Sequence, residues 1–141
     1  MLFRSSHNAS YLAGEFEKLG IKTVYPGLSS HPGHETLKKI GNLEYGFGGM
    51  MTLDVGSLGK ANALMEMMQM ENLGYLAVSL GFYKTLFSAP GTSTSSEIPI
   101  EEQKAMGLSD GLIRFSIGLD HDIENTFKKM KECMQKLEIL K

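Results

Sequence analysis

The sequence has little of several features that would assign it to a class of protein. Its 141 residues contain no tryptophan and one cysteine, Cys133, which cannot form an internal disulfide. No apolar run approaches the ~20 residues that a membrane-spanning helix requires, and the first residues lack the long apolar stretch of a secretory signal. With 14 basic and 16 acidic residues, no excess of positive charge favours nucleic acid. We therefore expect a cytoplasmic protein that binds neither membrane nor nucleic acid and is stabilised by packing alone.

Arginine is also scarce, with two residues against 12 lysines. One of them, Arg114, lies in the alternating segment LIRFSI at residues 112–117. A period of two predicts a strand on which Leu112, Arg114 and Ser116 share one face. A guanidinium on an inner face needs an anion, and its planar fork fits a carboxylate. Periodicity alone leaves two alternatives open, which are an internal salt bridge and an exposed edge position.

The rest of the chain alternates between helical and extended patterns. Apolar spacing or turn signals predict helices at 9–19, about 34–40, 58–70, 101–106 and about 121–140. Alternating or apolar runs predict strands at 21–25, 50–55, 75–79 and 112–117. A long polar loop is expected at 88–100. The pattern predicts an α/β or α+β fold in which helices cover a small sheet.

Two short motifs are weak candidates for chemistry. His31-Pro-Gly-His34-Glu35 groups possible metal ligands, but a zinc-binding histidine pair belongs one turn apart on a helix. We expect a turn followed by a helix start there, and no metal site. Gly46-Phe-Gly-Gly49 precedes a strand, whereas a phosphate loop follows one, so a tight turn or a close backbone approach is favoured. Cys133 lies beside the apolar stripe of the last helix and is expected to be a small residue of the core or of its boundary.

Four motifs occur in a characteristic order: VYPGLSSHPGHE, GFGGMMTLDV, LAVSLG and MGLSDGLIRFSIGLD. Through them, nearly the whole chain resembles the C-terminal domain of the Cys/Met-metabolism enzymes that depend on pyridoxal phosphate, such as methionine γ-lyase, cystathionine γ-lyase and cystathionine γ-synthase. The resemblance implies a small, mostly antiparallel sheet covered by helices, as in the C-terminal domain of a fold-type-I pyridoxal-phosphate enzyme. It also implies that residues 1–141 form a single substrate-carboxylate domain and that the large cofactor-binding domain is absent.

The resemblance implies roles for individual residues. Arg114 matches the arginine that holds the α-carboxylate of the amino-acid substrate, and Ser79 matches the serine of the SLG segment that helps to bind the same group. Leu80 belongs to this segment and is also expected to bind substrate. Val78, where some cystathionine-directed members have an acidic residue, indicates a methionine γ-lyase-like substrate. Thr94 matches the threonine of a loop near the family's active site and completes the expected substrate-binding set.

The family's cofactor-binding residues find no match in the chain. The Schiff-base lysine of the family lies in a Ser-x-Thr-Lys setting, and none of the 12 lysines has it. Because that lysine tethers the cofactor and moves protons, the chain is expected to contain no catalytic residue and to be inactive alone. The expected partners are an amino-acid substrate, a large pyridoxal-phosphate domain or full-length homologue, and a further copy of the chain.

Two other interpretations stay open. The chain could be a non-catalytic module that binds amino acids or pairs with a full-length paralogue as a pseudo-subunit. It could also be a poorly stable relic, in which the apolar surface that a large domain would cover is exposed and promotes association.

Overall fold

The computed structural model describes residues 2–93 and 95–141. Within these residues the chain forms five helices and five strands, which are α1 (Leu2–Lys18), β1 (Lys22–Val24), α2 (His34–Ile40), β2 (Met50–Asp54), α3 (Leu58–Met70), β3 (Tyr75–Leu76), β4 (Leu86–Ser88), α4 (Ile100–Ala105), β5 (Leu112–Ser116) and α5 (Ile123–Lys136). A single 3-10 turn at Leu43–Tyr45 precedes β2. Among the described helices, none combines the length and apolarity needed to cross a membrane.

The strands form one sheet in the order β1-β2-β5-β4-β3. All neighbouring pairs are antiparallel except β3 and β4, which are parallel. The small, mostly antiparallel sheet covered by helices is therefore confirmed. In this order β5 lies at the centre of the sheet, between β2 and β4.

The core lies on one face of the sheet. Met51 and Leu53 of β2, together with Ile113 and Phe115 of β5, point into a buried cluster to which α1, α3 and α5 also contribute. Residues between them in sequence point to the other face, as the period of two predicts. We call this second face the open face, because the three long helices contribute to the core behind it.

The predicted positions of α3 and Cys133 are confirmed. Helix α3 begins at Leu58 and ends at Met70, with Ser57 as its N-cap. Cys133 is 1% exposed in the core, and burial, followed by the charge of Glu71, raises the pKa of its thiol. The sequence pattern of long apolar stripes is thus sufficient to place these features.

Helix α1 begins seven residues earlier than its apolar pattern predicts. Two buried positions in its first turns are polar, Ser6 and Asn8. Ser6 Oγ accepts a hydrogen bond from Gly48 N–H at 3.0 Å. Asn8 Nδ2 donates to the carbonyl oxygens of Gly118 and Asp120 at 3.1 and 2.8 Å. Buried polar residues of this kind form hydrogen bonds with backbone groups that are distant in sequence. A prediction based on the spacing of apolar residues therefore misses them.

Two extended segments also differ from the prediction. The strand predicted at 75–79 ends at Leu76, and Ala77 N–H makes the last backbone hydrogen bond to β4 before the chain leaves the sheet. The loop predicted to begin at residue 88 is wrong at its start, because Leu86–Ser88 form β4. All three residues of β4 are buried, so they lack the polar alternation by which a half-buried strand is recognised.

The outer edge of the sheet at β3 is covered by a side chain. Leu76 N–H, which points away from β4, donates to Gln69 Oε1 of α3 at 2.8 Å. Tyr75 and Ala77 on either side donate instead to carbonyl oxygens of Thr85 and Phe87. The Gln69 side chain therefore accepts the hydrogen bond that a neighbouring strand would otherwise accept from the Leu76 N–H.

Asp54 ends β2 and accepts hydrogen bonds from three groups. Ser109 Oγ donates to Oδ2 at 2.7 Å, Gly56 N–H to Oδ1 at 2.9 Å, and Lys22 Nζ lies 3.4 Å from Oδ2. Burial acts to raise the pKa of the Asp54 carboxyl, but the three donors together outweigh burial and lower the pKa below its ordinary value. The ionised carboxylate therefore stabilises the folded chain.

Replacing Asp54 by asparagine is expected to lower the free energy of unfolding at neutral pH by roughly 1 kcal/mol. Since the folded pKa lies below the unfolded one, this stabilisation is complete above about pH 4 and is lost as the pH falls through the folded value. Urea unfolding of wild type and D54N across the acid range should show the two stabilities converging below about pH 4. A difference that stayed constant, or that appeared equally in the exposed control Asp110→Asn, would contradict this assignment.

Candidate functional site

Arg114 lies in the middle of the sheet and on its open face. It is the Cα partner of Thr52 on β2 and of Ser88 on β4. Both partners carry hydroxyl groups, and residues directly opposite on antiparallel strands project to the same face. The guanidinium therefore originates between two hydroxyl side chains on the face away from the core.

The chain after β3 crosses the open face above Arg114. We call residues 77–83 the crossing segment. Arg114 Nη2 donates to the carbonyl oxygens of Val78 and Ser79 at 3.0 and 3.1 Å. Gly81 N–H donates to Ser116 Oγ, on the same face of β5, at 3.0 Å. These contacts attach the crossing segment to β5 and hold the guanidinium beneath it.

Neither structural alternative for Arg114 fits this arrangement. Strand β5 is central, so the residue is not at a sheet edge. The ion pairs formed by the described residues involve Lys18, Lys22, His34 and Lys38, and none includes Arg114. Over the same residues, the guanidinium interacts with backbone dipoles rather than with a carboxylate. A charge balanced only by carbonyl dipoles is suited to receive an external anion.

Two polar atoms, on residues that are cross-strand partners on the open face, remain unsatisfied. Arg114 Nε and Ser88 Oγ are buried and have no hydrogen-bond partner among the residues that the structure describes. An unmade hydrogen bond at a buried group carries the group's desolvation penalty, so most such groups are paired in folded proteins. Their occurrence on paired residues of β4 and β5 marks this part of the sheet as incomplete in the free chain.

The other predicted site residues lie on or beyond the crossing segment. Val78 and Leu80 are 60% and 61% exposed. Ser79 contacts Arg114 through its carbonyl oxygen. The structure thus brings Val78 and Ser79 together with Arg114. Thr94 lies outside the described residues.

The loop after β4 is held by α4. Gln103 Nε2 donates to the carbonyl oxygens of Ser95 and Ile98 at 3.0 and 2.9 Å. Near its start, the loop lines a cavity of about 410 Å³ with residues of β4, the crossing segment and α3. This cavity includes Val78 and Ser88, so it adjoins the surroundings of Arg114.

Sequence reasoning missed three residues of this region: Thr52, Ser88 and Gln103. The first two acquire their significance only from the strand register, which local sequence does not specify. The apolar pair Leu86-Phe87 was the one available signal for β4, but no element was predicted there, and Ser88 was placed in the following loop. Gln103 lies in a short polar helix, where nothing in the sequence distinguishes a side chain that binds loop carbonyls.

The two weak motifs have structural roles. His34 begins α2, stacks on Phe47 at 4.9 Å and lies with Nδ1 2.8 Å from the carbonyl oxygen of Pro26. Within the described residues, no three His, Cys, Asp or Glu side chains form a group able to hold a metal. Gly46 and Gly48 have φ values of 72° and 89°, which agrees with a tight turn, one of the two expected roles.

Comparison with known proteins agrees with this fold. The sequence profile of a family described as Cys/Met metabolism PLP-dependent enzyme matches residues 2–135. Methionine gamma-lyase of Arabidopsis thaliana is 39% identical over 133 residues, which are 94% of this chain and 30% of that protein. The chain thus spans about a third of the length of the curated relatives it matches.

Solved structures of similar fold come from the same group of enzymes. Cystathionine gamma-lyase from yeast superposes with a TM-score of 0.86 at 25% identity, over 96% of this chain and 34% of that one. An O-acetylhomoserine (thiol)-lyase from Campylobacter jejuni, crystallised with N'-pyridoxyl-lysine-5'-monophosphate, gives a TM-score of 0.83 at 27% identity, over 94% of this chain and 31% of that one.

The residues around Arg114 do not fit a pyridoxal-phosphate site by themselves. Such a site needs a lysine that can reach the cofactor. Two lysines adjoin the sheet, and both are engaged elsewhere: Lys22 Nζ lies 3.4 Å from Asp54, and Lys84 Nζ donates to the Tyr75 hydroxyl at 3.0 Å. The donors that the site does present, a guanidinium and hydroxyls, suit a carboxylate.

Proposed function

Since the chain belongs to the family of Cys/Met-metabolism enzymes that depend on pyridoxal phosphate, we propose that it forms the domain that binds the α-carboxylate of an amino-acid substrate. In this proposal, residues 1–141 are one substrate-carboxylate domain of a carbon–sulfur lyase or transsulfuration enzyme. The cofactor-binding residues are supplied by a large pyridoxal-phosphate domain or by a full-length homologue.

The position of Arg114 carries the proposal. Its guanidinium contacts the backbone of the crossing segment through Nη2, while its Nε has no partner among the described residues. A carboxylate that binds end-on to the two terminal nitrogens gains two charge-assisted hydrogen bonds, because this planar pair of donors matches the two oxygens. Binding at this point fixes one end of the amino acid and orients the bonds at its α-carbon, which is a positioning contribution to catalysis.

The proposed substrate is a sulfur amino acid of the type that methionine γ-lyase uses. Val78 supports this choice, because it presents an apolar, 60% exposed side chain beside the carbonyl that Arg114 contacts. An apolar residue favours a thioether over the charged distal end of cystathionine. Leu80 and Thr94 complete the proposed substrate-binding set with Arg114, Ser79 and Val78.

The chain alone is proposed to be inactive. Adding pyridoxal phosphate to the purified chain is expected to give no visible absorption band that changes with methionine, and no release of ammonia or keto acid. The reason is that no lysine of the chain has the setting of a Schiff-base lysine. A methionine-dependent band with product release would refute the assignment of catalysis to a missing part.

A chimera tests the positive half of the proposal. Residues 2–135 of this chain replace the matching third of the Arabidopsis methionine gamma-lyase, whose remaining two thirds supply the cofactor site. The chimera is expected to bind pyridoxal phosphate and to cleave methionine. A chimera that folds and binds the cofactor, but cleaves neither methionine nor cystathionine, would contradict the proposed function.

A pseudo-subunit is the second candidate, and the exposed apolar residues of the open face and crossing segment favour it. Met50, Leu80, Phe82 and Tyr83 are 37%, 61%, 42% and 57% exposed. Apolar groups clustered in this way are typical of an interaction surface. In this role the chain would join a full-length paralogue without contributing to its chemistry. Unchanged mass of that paralogue on mixing would count against it.

A further inference from the structure

Ser88 and Arg114 lie directly opposite each other on β4 and β5. Ser88 is 5% exposed, and within the described part of the chain neither its Oγ nor Arg114 Nε has a hydrogen-bond partner. Cross-strand partners have Cβ atoms about 4.5–5.5 Å apart. A hydroxyl acceptor and an N–H donor therefore lie within reach of one another through side-chain rotation, yet they are not bonded in the free chain.

The hydrogen bonds that Arg114 forms through Nη2 explain why its Nε has no partner among the described residues. Nη2 donates to the carbonyl oxygens of Val78 and Ser79, which draws the guanidinium towards the crossing segment. A carboxylate that binds end-on uses both terminal nitrogens of the fork and so competes with these carbonyls. The guanidinium must then shift, and its Nε–H requires an acceptor from the protein. Ser88, directly opposite on β4, carries a buried hydroxyl without a partner among the described residues.

We propose that Ser88 is a positioning residue of the carboxylate site. Its hydroxyl accepts a hydrogen bond from Arg114 Nε–H when a carboxylate is bound, and this bond fixes the plane of the guanidinium. The inference rests on the proposed function. It gives Ser88 two opposite effects: in the free chain its buried, unpaired hydroxyl lowers stability, whereas in the complex the same hydroxyl raises affinity.

The test uses nuclear magnetic resonance of the full ¹⁵N-labelled chain. With two arginines in the sequence, the spectrum contains two Nε–H signals, and the Arg4→Lys variant identifies the one from Arg114. The probe is L-methionine, and L-methioninol, which lacks the carboxylate, is the control ligand. The Arg114 Nε–H signal is expected to shift and to exchange more slowly with water in L-methionine only.

The Ser88→Ala variant separates the positioning role from a structural one. Its dissociation constant for L-methionine is expected to rise about tenfold, as for the loss of a hydrogen bond to a charged group. Its Arg114 Nε–H signal should respond less to the ligand, and its melting temperature should equal or exceed that of wild type. Ser116→Ala is the matched control. Ser116 is also 5% exposed on the open face, but its Oγ accepts from Gly81 N–H, so this variant should melt lower.

Three results would overturn the inference. If wild type responds to L-methionine while Ser88→Ala binds it equally well with the same Nε–H shift, Ser88 has no positioning role and the carboxylate site stands. If Ser88→Ala melts lower or fails to fold, its hydroxyl is already bonded in the free chain. If L-methioninol shifts the Arg114 signal as much as L-methionine, or neither does, the carboxylate site itself is refuted.

Discussion

Exchange of Arg114 for lysine is expected to lower kcat/KM for methionine about a hundredfold or more in the chimera. Lysine keeps the positive charge but presents it as a compact point on a flexible stem. It has no planar fork of donors, so it cannot form two parallel hydrogen bonds to the two oxygens of a carboxylate. The amino acid would then bind in many orientations, of which few place the α-carbon correctly.

Steady-state kinetics with methionine, and with an analogue lacking the carboxylate, check this expectation. The control is Arg4→Lys, the same exchange at the other arginine of the chain, which should leave kcat/KM near that of the parent chimera. For the analogue, parent and Arg114→Lys chimeras should differ little, because the interaction with Arg114 is already missing. Equal losses from the two lysine variants on methionine would rule out a specific role for Arg114.

Gly118→Ala is expected to lower the free energy of unfolding by roughly 3 kcal/mol, at the upper end of the usual range for overpacking. A Cβ at Gly118 would lie 2.5 Å from the carbonyl oxygen of Tyr83 and 2.7 Å from the backbone nitrogen of Thr85. These atoms belong to the backbone that leads from the crossing segment into β4. They cannot rotate away as a side chain could, so the strand itself must move.

Chemical unfolding of the full chain measures this effect, and Gly14→Ala provides a control of opposite sign. Gly14 lies within α1, where an added Cβ would meet nothing within 4 Å. Alanine there should stabilise the chain by about 0.5–1 kcal/mol, because glycine is unfavourable inside a helix. If both variants changed stability in the same direction, close packing at Gly118 would not be the cause.

The parts of the fold that could be predicted are those in which burial follows apolar periodicity. Helix α3 has both its ends where the pattern predicts them, and β5 shows the alternation that places Arg114 opposite the core. Helix α1 was predicted seven residues short because Ser6 and Asn8 are buried through polar contacts. Strand β4 was missed because all its residues are buried, which removes the alternation on which recognition depends.

The candidate site divides in the same way. Arg114 could be recognised alone, as a charge inside an apolar strand. Its neighbours Thr52 and Ser88 come from strands more than 60 and about 25 residues away in the chain, and their proximity depends on the strand order and register. From the sequence alone, Ser88 is a serine at the end of an apolar run, and its pairing with Arg114 cannot be predicted.

The side chain of Gln69 has a consequence for how copies of this chain could meet. It satisfies the outward amide of Leu76, and at the opposite border the three-residue strand β1 begins with the charged, mostly exposed Lys22. Short, charged or covered borders discourage cross-β growth, in which sheets extend from molecule to molecule. Association at high concentration should therefore be face to face and saturable, giving small discrete particles rather than thioflavin-positive fibrils.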